Sequence, residues 1–242
     1  MAARYTARGQ ALLEKLGNAL PGLRPLAEND FPALLALYKS NPFYLSISQE
    51  GPPTLENCQE DAAALPPGRG KEHKLFLGLF QESVLAAVLD LVEGYPEEGT
   101  LYLGLLELAG PLQGKGLGTH IFSALSQEAG AAGFQCIRLA CLEENLPGLA
   151  FWAGMGFEEE GRCTLLKGGR KVRKLVKRLY NKSPRNTKKR WLVLGPATFF
   201  TCRIRGLPPL QGDDAGAGNL PDAVGAQQIQ QRFTALVLPG VL

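Results

Sequence analysis

Residues Gln113 to Gly118 read Gln-Gly-Lys-Gly-Leu-Gly, with glycines at alternate positions between an apolar run, Leu101 to Leu108, and a helical pattern starting at Leu117. Without a Cβ, glycine lets the backbone turn tightly and aim successive N–H groups at one point. The helix that follows adds its unpaired first-turn N–H groups and the positive end of its dipole. A turn of this kind binds phosphate. Counting excludes two familiar phosphate loops. A P-loop requires Ser or Thr after Gly-Lys, yet Gly116 follows Lys115, and position 109 is Ala. The dinucleotide fingerprint requires a third glycine where Thr119 stands. No acidic residue closes a second strand about 20 residues further on, as ribose recognition requires.

A second segment, Asn145-Leu-Pro-Gly-Leu-Ala-Phe-Trp-Ala-Gly-Met-Gly-Phe157, follows after one helical and one strand-like stretch. Together the two segments resemble motifs of the GNAT superfamily of N-acetyltransferases. These are the (Gln/Arg)-x-x-Gly-x-(Gly/Ala) acyl-CoA loop and the later Asn-x-x-Ala-x-x-Phe-(Tyr/Trp)-x-x-x-Gly-Phe motif. The resemblance covers Leu20 to Leu179. It implies an α/β fold of mixed α+β type, with a central mixed, mostly antiparallel sheet flanked by helices. It also implies acetyl-CoA as co-substrate, with Gln113, Gly114, Lys115, Gly116, Leu117, Gly118 and Thr119 around its pyrophosphate. Leu106 and Leu108 would meet the pantetheine arm through their backbone, and Asn145 and Trp152 would join from the later motif.

The chemistry implied is acyl transfer to a primary amine by direct attack in a ternary complex. An amine attacks a thioester only when neutral, and a lysine-like amine has a pKa near 10.4, so a base must take its proton. Glu107 is the candidate general base, an acidic residue in an otherwise apolar strand beside the loop, with Glu93 and Asp90 behind it. The alternative for Glu107 is a strand residue on a wet face. By strand alternation it points away from Leu106 and Leu108, unless a bulge changes the face it serves. The family's common general acid, a Tyr, falls at position 152, where an indole donates no proton at useful pH. Trp152 is thus cofactor wall or core, and the acid is unassigned.

The elements that must position these residues follow from apolar spacing and breakers. Leu117, Ile121, Phe122, Leu125, Ala129 and Ala132 recur near a 3.6-residue period, and Gly130 and Gly133 end that helix. Cys136 to Cys141 reads as a buried strand. Asn145 reads as an N-cap with Pro147 in the first turn. Upstream, Lys74–Phe80 and Ser83–Val92 form a hairpin, Gly94–Gly99 turns, and Thr100–Leu108 is the next strand. Asn29 or Asp30 caps a helix to Lys39, Thr54–Leu65 is another, and Leu20–Leu26, with Pro21 and Pro25, is an edge strand. The expected order is strand, two helices, three strands, helix, strand, helix, strand. Residues 1–19 form a helical extension, residues 20–180 the acetyltransferase-like domain, and residues 181–242 a C-terminal extension of unknown role.

Composition narrows the class. Of 242 residues, 45% are hydrophobic and 20% charged, the balance of a globular chain with a sizeable core. No apolar run approaches the roughly 18 residues of a membrane span. The opening residues have no apolar stretch of the signal-peptide kind, and the expected location is cytoplasmic. Five scattered cysteines and two histidines offer neither a disulfide framework nor a metal site.

The net charge of +3 hides an asymmetry: Lys167 to Arg190 holds twelve Lys or Arg and no acid, so the remainder sums to −9. Such a run binds nucleic acid or acidic partners, or steers CoA toward its cleft. Alternatively it is a final strand, Val172, Leu175, Val176 and Leu179, with basic flanks, and this reading is favoured over nucleic acid. In the tail, Trp191–Leu194 and Thr198–Ile204 have strand character and Ala226–Leu238 has helix and strand character. This segment adds strands, covers an edge or mediates a homodimer. Three functions follow: an N-acetyltransferase first, a non-catalytic acyl-CoA-binding module second, and an RNA-associated protein using Lys167–Arg190 third.

Overall fold

The computed structural model describes residues 4–49, 51–164 and 169–179, and the backbone of 201–203. Its elements are α1 (Ala7–Ala19), β1 (Leu23–Pro25), α2 (Phe31–Lys39), α3 (Pro42–Ser48), α4 (Leu55–Ala63), β2 (Lys74–Gln81), β3 (Val84–Glu93) and β4 (Thr100–Leu108). After these come α5 (Leu117–Ala131), β5 (Cys136–Leu142), α6 (Leu146–Gly154), β6 (Glu158–Thr164), β7 (Lys171–Arg178) and β8 (Thr201–Arg203). The sheet runs β1-β2-β3-β4-β5-β7-β6, with β8 also on β4. Every pairing is antiparallel except β4 with β5. This is the mixed, mostly antiparallel sheet flanked by helices that the motifs imply.

Helices cover both faces of the sheet, which explains why β2, β3 and β4 are apolar on alternate and intervening positions alike. On one face Leu77, Leu89, Leu106 and Leu108 pack with Leu12 and Leu16 of α1 and with Ile121, Phe122 and Leu125 of α5. On the other, Phe76, Val88 and Leu105 pack under Leu34, Leu37 and Tyr38 of α2 and Cys58 of α4. Helix α1 starts where the Thr6 side chain accepts the Gly9 amide, and its Leu12/Leu16 face enters the main core. The segment ahead of residue 20 thus shares one core with the sheet.

The β3–β4 ladder contains a bulge that decides what faces what. Asp90 is opposite Leu105 and Leu91 opposite Leu103, which leaves Gly104 unopposed. Before the bulge Leu101 and Leu103 face the α1/α5 core; after it Leu106 and Leu108 do. The one extra residue thereby turns Glu107, like Leu105, toward the α2/α4 side.

Two elements depart from the sequence reading. Helix α3, of only 7 residues, is not expected: the sequence reading assigns no element between Lys39 and Thr54. Strand β6 is not expected either, because Glu158-Glu-Glu-Gly-Arg carries no apolar alternation. It pairs with β7, which is basic: Glu159 of β6 lies 3.4 Å from Arg173 across the ladder, and within β6 itself 2.7 Å from Arg162. Strand β7 buries Val172, Leu175 and Val176, so the described part of the basic run is a strand with charged flanks. Its Lys177 donates to the Met155 carbonyl and lies 5.6 Å from the Phe122 ring centroid, and burial pulls its ammonium pKa down. The expected strand Thr198–Ile204 is represented by β8. Residues 180–190, the Trp191–Leu194 strand and the Ala226–Leu238 segment lie outside the described residues. No helix among the described residues is long and apolar enough to cross a membrane.

Candidate acyl-transfer site

The loop at 109–116 is a single 3-10 turn, Gly110–Leu112, followed by two glycines in the left-handed region, Gly114 at φ +72° and Gly116 at φ +84°. Gly116 is the N-cap of α5, a conformation that costs other residues strain. A Cβ built there meets nothing within 4 Å, so the loop opens onto free space. Gly116 and Lys115 line a cavity of about 380 Å³ with Gln81, Leu112, Leu117 and His120. Thr119 is exposed beside it and Gly118 is buried within the first turn of α5. The unpaired first-turn amides, the Lys115 ammonium and the helix dipole give this cavity the polarity a diphosphate needs.

A second cavity, about 260 Å³, lies on the other side of the loop. The α2–α3 corner (Ser40 to Tyr44), Gly110, Gln113 and Asn145 line it. Asn145 is the N-cap of α6 as its spacing suggests: its Oδ1 accepts the Gly148 amide at 3.0 Å. A Cβ on Gly148 would lie 2.4 Å from Asn145 Nδ2, so the capping side chain packs directly against this glycine.

On the wall of the second cavity stands a hydrogen-bonded group that the sequence did not reveal. Asn41 Nδ2 donates to Glu107 Oε1 at 2.8 Å and to the Leu108 carbonyl at 2.9 Å, with the Leu37 carbonyl at 3.2 Å. Gln113 Nε2 donates to Asn41 Oδ1 and, at 3.2 Å, to the Leu108 carbonyl. The Gly110 amide donates to Ser40 Oγ at 2.8 Å. The contacts that join the α2–α3 corner to β4 and the loop span 66 to 72 residues of sequence, so no local spacing announces them. The one available signal was Asn41 itself, an N-cap type before Pro42. It stands at the N-cap position of α3, yet its side chain does not cap that helix.

Glu107 is 0% exposed. The wet-face alternative therefore does not hold; the carboxyl is enclosed under the α2–α3 corner. The reserve bases are committed elsewhere. Glu93 accepts from Thr6 and lies 3.6 Å from Arg8, which fastens α1. Asp90 is 2.8 Å from Lys74 Nζ. Trp152 is also removed from the cofactor surface. It is 2% exposed, with its ring centroid 5.4 Å from Phe122, 4.7 Å from Phe151 and 5.2 Å from Phe157. It is core, because edge-to-face packing of four aromatic rings leaves the indole no path to either cavity.

Strand β4 pairs with β5 only over Thr100–Tyr102, and beyond that the two strands part. The edge thus exposed carries β8, with Leu106 opposite Cys202 and Glu107 opposite Thr201. Leu106 is a residue whose backbone the resemblance assigns to the pantetheine arm. The Leu108 carbonyl, for its part, is already taken by Asn41 and Gln113.

A model described as the acetyltransferase (GNAT) family matches residues 33–157, just over half of the chain. An acetyltransferase from Thermus thermophilus superposes with a TM-score of 0.53 at 26% identity, over 65% of this chain and 96% of that one. The ribosomal-protein-alanine N-acetyltransferase from Brucella melitensis gives 0.50 at 24% identity, over 65% and 99% of the two chains. The ribosomal-protein-S18-alanine N-acetyltransferase from Escherichia coli gives 0.50 at 16% identity, over 69% and 98%. At such identities the last two likenesses concern the fold alone. No curated protein sequence matches the chain.

Proposed function

The chain belongs to the acetyltransferase (GNAT) family, and from that premise we propose that it moves an acetyl group from acetyl-CoA to a primary amine by direct attack in a ternary complex. The observation that carries this reading is the tie from Gln113 and Asn41, which line the smaller cavity, to the buried Glu107 carboxyl behind them. Acetyl-CoA brings an activated acyl group; the rest falls to residues of the chain. Gly114, Lys115, Gly116 and the first-turn amides of Leu117, Gly118 and Thr119 would hold the pyrophosphate. Asn145 and the α2–α3 corner would receive the acceptor amine. Glu107 takes the proton of that amine. Asn41 stands between Glu107 and the cavity, and an amide does not relay protons, so this transfer would require a bridging water. Seating the pantetheine arm along β4 requires β8 to give up the edge at Leu106.

Free-thiol release from acetyl-CoA with a panel of primary amines tests the reading. Turnover with any of them supports it. Tight acetyl-CoA binding without turnover across the panel would favour a binding module, a reading that the loss of the family's Tyr at Trp152 supports. Gly116→Asp sets a carboxylate in the diphosphate cradle and a side chain at φ +84°. It should abolish acetyl-CoA binding, and retained affinity would refute the loop assignment.

A further inference from the structure

We infer that Asn41 is the positioning residue of this site: one side chain sets the orientation of the Glu107 carboxyl and of Gln113 together. The inference rests on the acyl-transfer reading for its consequence and on geometry for its substance.

Asn41 is only 5% exposed, and its side-chain contacts fall on three different parts of the site. The oxygen accepts from Gln113 of the cofactor loop. The nitrogen donates to Glu107 and to the last carbonyl of β4. The chemistry requires a side chain that donates two hydrogens and accepts one at a single point, which a carboxylate or an aliphatic side chain does not provide. An N-cap asparagine ordinarily spends its oxygen on the first turn of its own helix. Here the side chain is diverted from α3 to Glu107, Leu108 and Gln113. The corner is also fixed from the other side. A Cβ on Gly110 would lie 2.2 Å from the Ser40 carbonyl, so that corner and the loop touch backbone to backbone. Acceptor pocket, base and cofactor loop are therefore aligned by one amide. The other acidic groups on this side of the sheet already have partners: Asp90 has Lys74, and Asp61 accepts from Tyr38 at 2.9 Å.

The test uses the full-length chain with Asn41→Asp, Asn41→Leu and Glu107→Gln, singly and with Asn41→Asp combined with Glu107→Gln. Acetyl-CoA affinity is read by calorimetry. The Glu107 carboxyl titration is read by infrared difference against Glu107→Gln, and circular dichroism checks folding. Asn41→Asp puts a second carboxylate against Glu107, so its titration should move up by about one pH unit or more. Asn41→Leu should weaken acetyl-CoA about tenfold by freeing Gln113. Adding Glu107→Gln to Asn41→Asp exchanges donor for acceptor. It should recover most of the affinity while turnover stays lost, a pattern that simple loss of packing does not produce. Folded variants whose titration and affinity both stay within about twofold of the parent would overturn the inference. Should the parent chain bind no acetyl-CoA, the acyl-transfer reading falls, and the infrared titration still decides the role of Asn41.

Discussion

Asp90, largely buried, and Glu107, fully buried, are carboxylates on one side of the same sheet, yet they are held in opposite ways. Asp90 faces the Lys74 ammonium at 2.8 Å, and Lys74 in turn donates to the Ala64 carbonyl at 2.8 Å, which fastens the end of α4 to β2. Burial pushes the Asp90 carboxyl up, and the Lys74 charge opposes that. Neither member of this pair can change charge without stranding the other. Glu107 is held by the neutral amide of Asn41, with a cofactor loop beside it. When its carboxyl gains or loses a proton, Asn41 stays neutral. Partner chemistry, more than burial, separates a structural carboxylate from one suited to act as a base.

The sharpest way to break this comparison is to neutralise each acid. Glu107→Gln should lower turnover on the order of a hundredfold or more with acetyl-CoA affinity nearly intact. Asp90→Asn should leave turnover close to the parent value and cost about 3 kcal/mol of stability, because Lys74 is stranded. Steady-state kinetics with denaturant unfolding separates the two, and a folded Asp90→Asn protein without activity would reverse the assignment. Gly110→Ala comes next. The new methyl collides with the Ser40 carbonyl, and overpacking of this kind costs about 1–3 kcal/mol. It should lower thermal stability and reduce turnover, since it moves the corner that holds Glu107 and not the Asp90–Lys74 pair. Equal melting temperatures would show the corner to be soft.

The smallest effect concerns a third acid. Arg24 clasps Asp30 with two contacts of 2.7 Å, and this hydrogen bonding holds the Asp30 carboxyl below its usual range, burial opposing. A depressed carboxyl stabilises the fold above its ordinary pKa of 3.8 and loses that contribution as pH falls below it. Arg24 is half exposed, so screening limits the pair to about 1 kcal/mol at most. Asp30→Asn should show that loss at pH 7 and converge with the parent in acid. A difference that grew as pH fell would contradict the sign.

Much of this molecule was legible in its residues, for local reasons. Strand β4 spans Thr100–Leu108 as its apolar run indicates, and α5 begins at Leu117, directly after the last turn glycine. The Asn145 cap formed as its spacing suggests. Charged β6 escaped notice because its stability comes from β7 across the ladder. Short α3 escaped because it has only 7 residues.

The sequence by itself determined the glycine turn ahead of α5, the Asn145 cap, and most of the elements around them. Each of these depends on neighbours within a few positions along the chain. Tertiary structure alone decided which face Glu107 serves, because side chains alternate with period two and the single unopposed Gly104 resets that count. It also decided that Trp152 is core and that Asn41 joins Glu107 to Gln113. Those outcomes depend on contacts between residues distant in the chain, and no spacing within either segment encodes them.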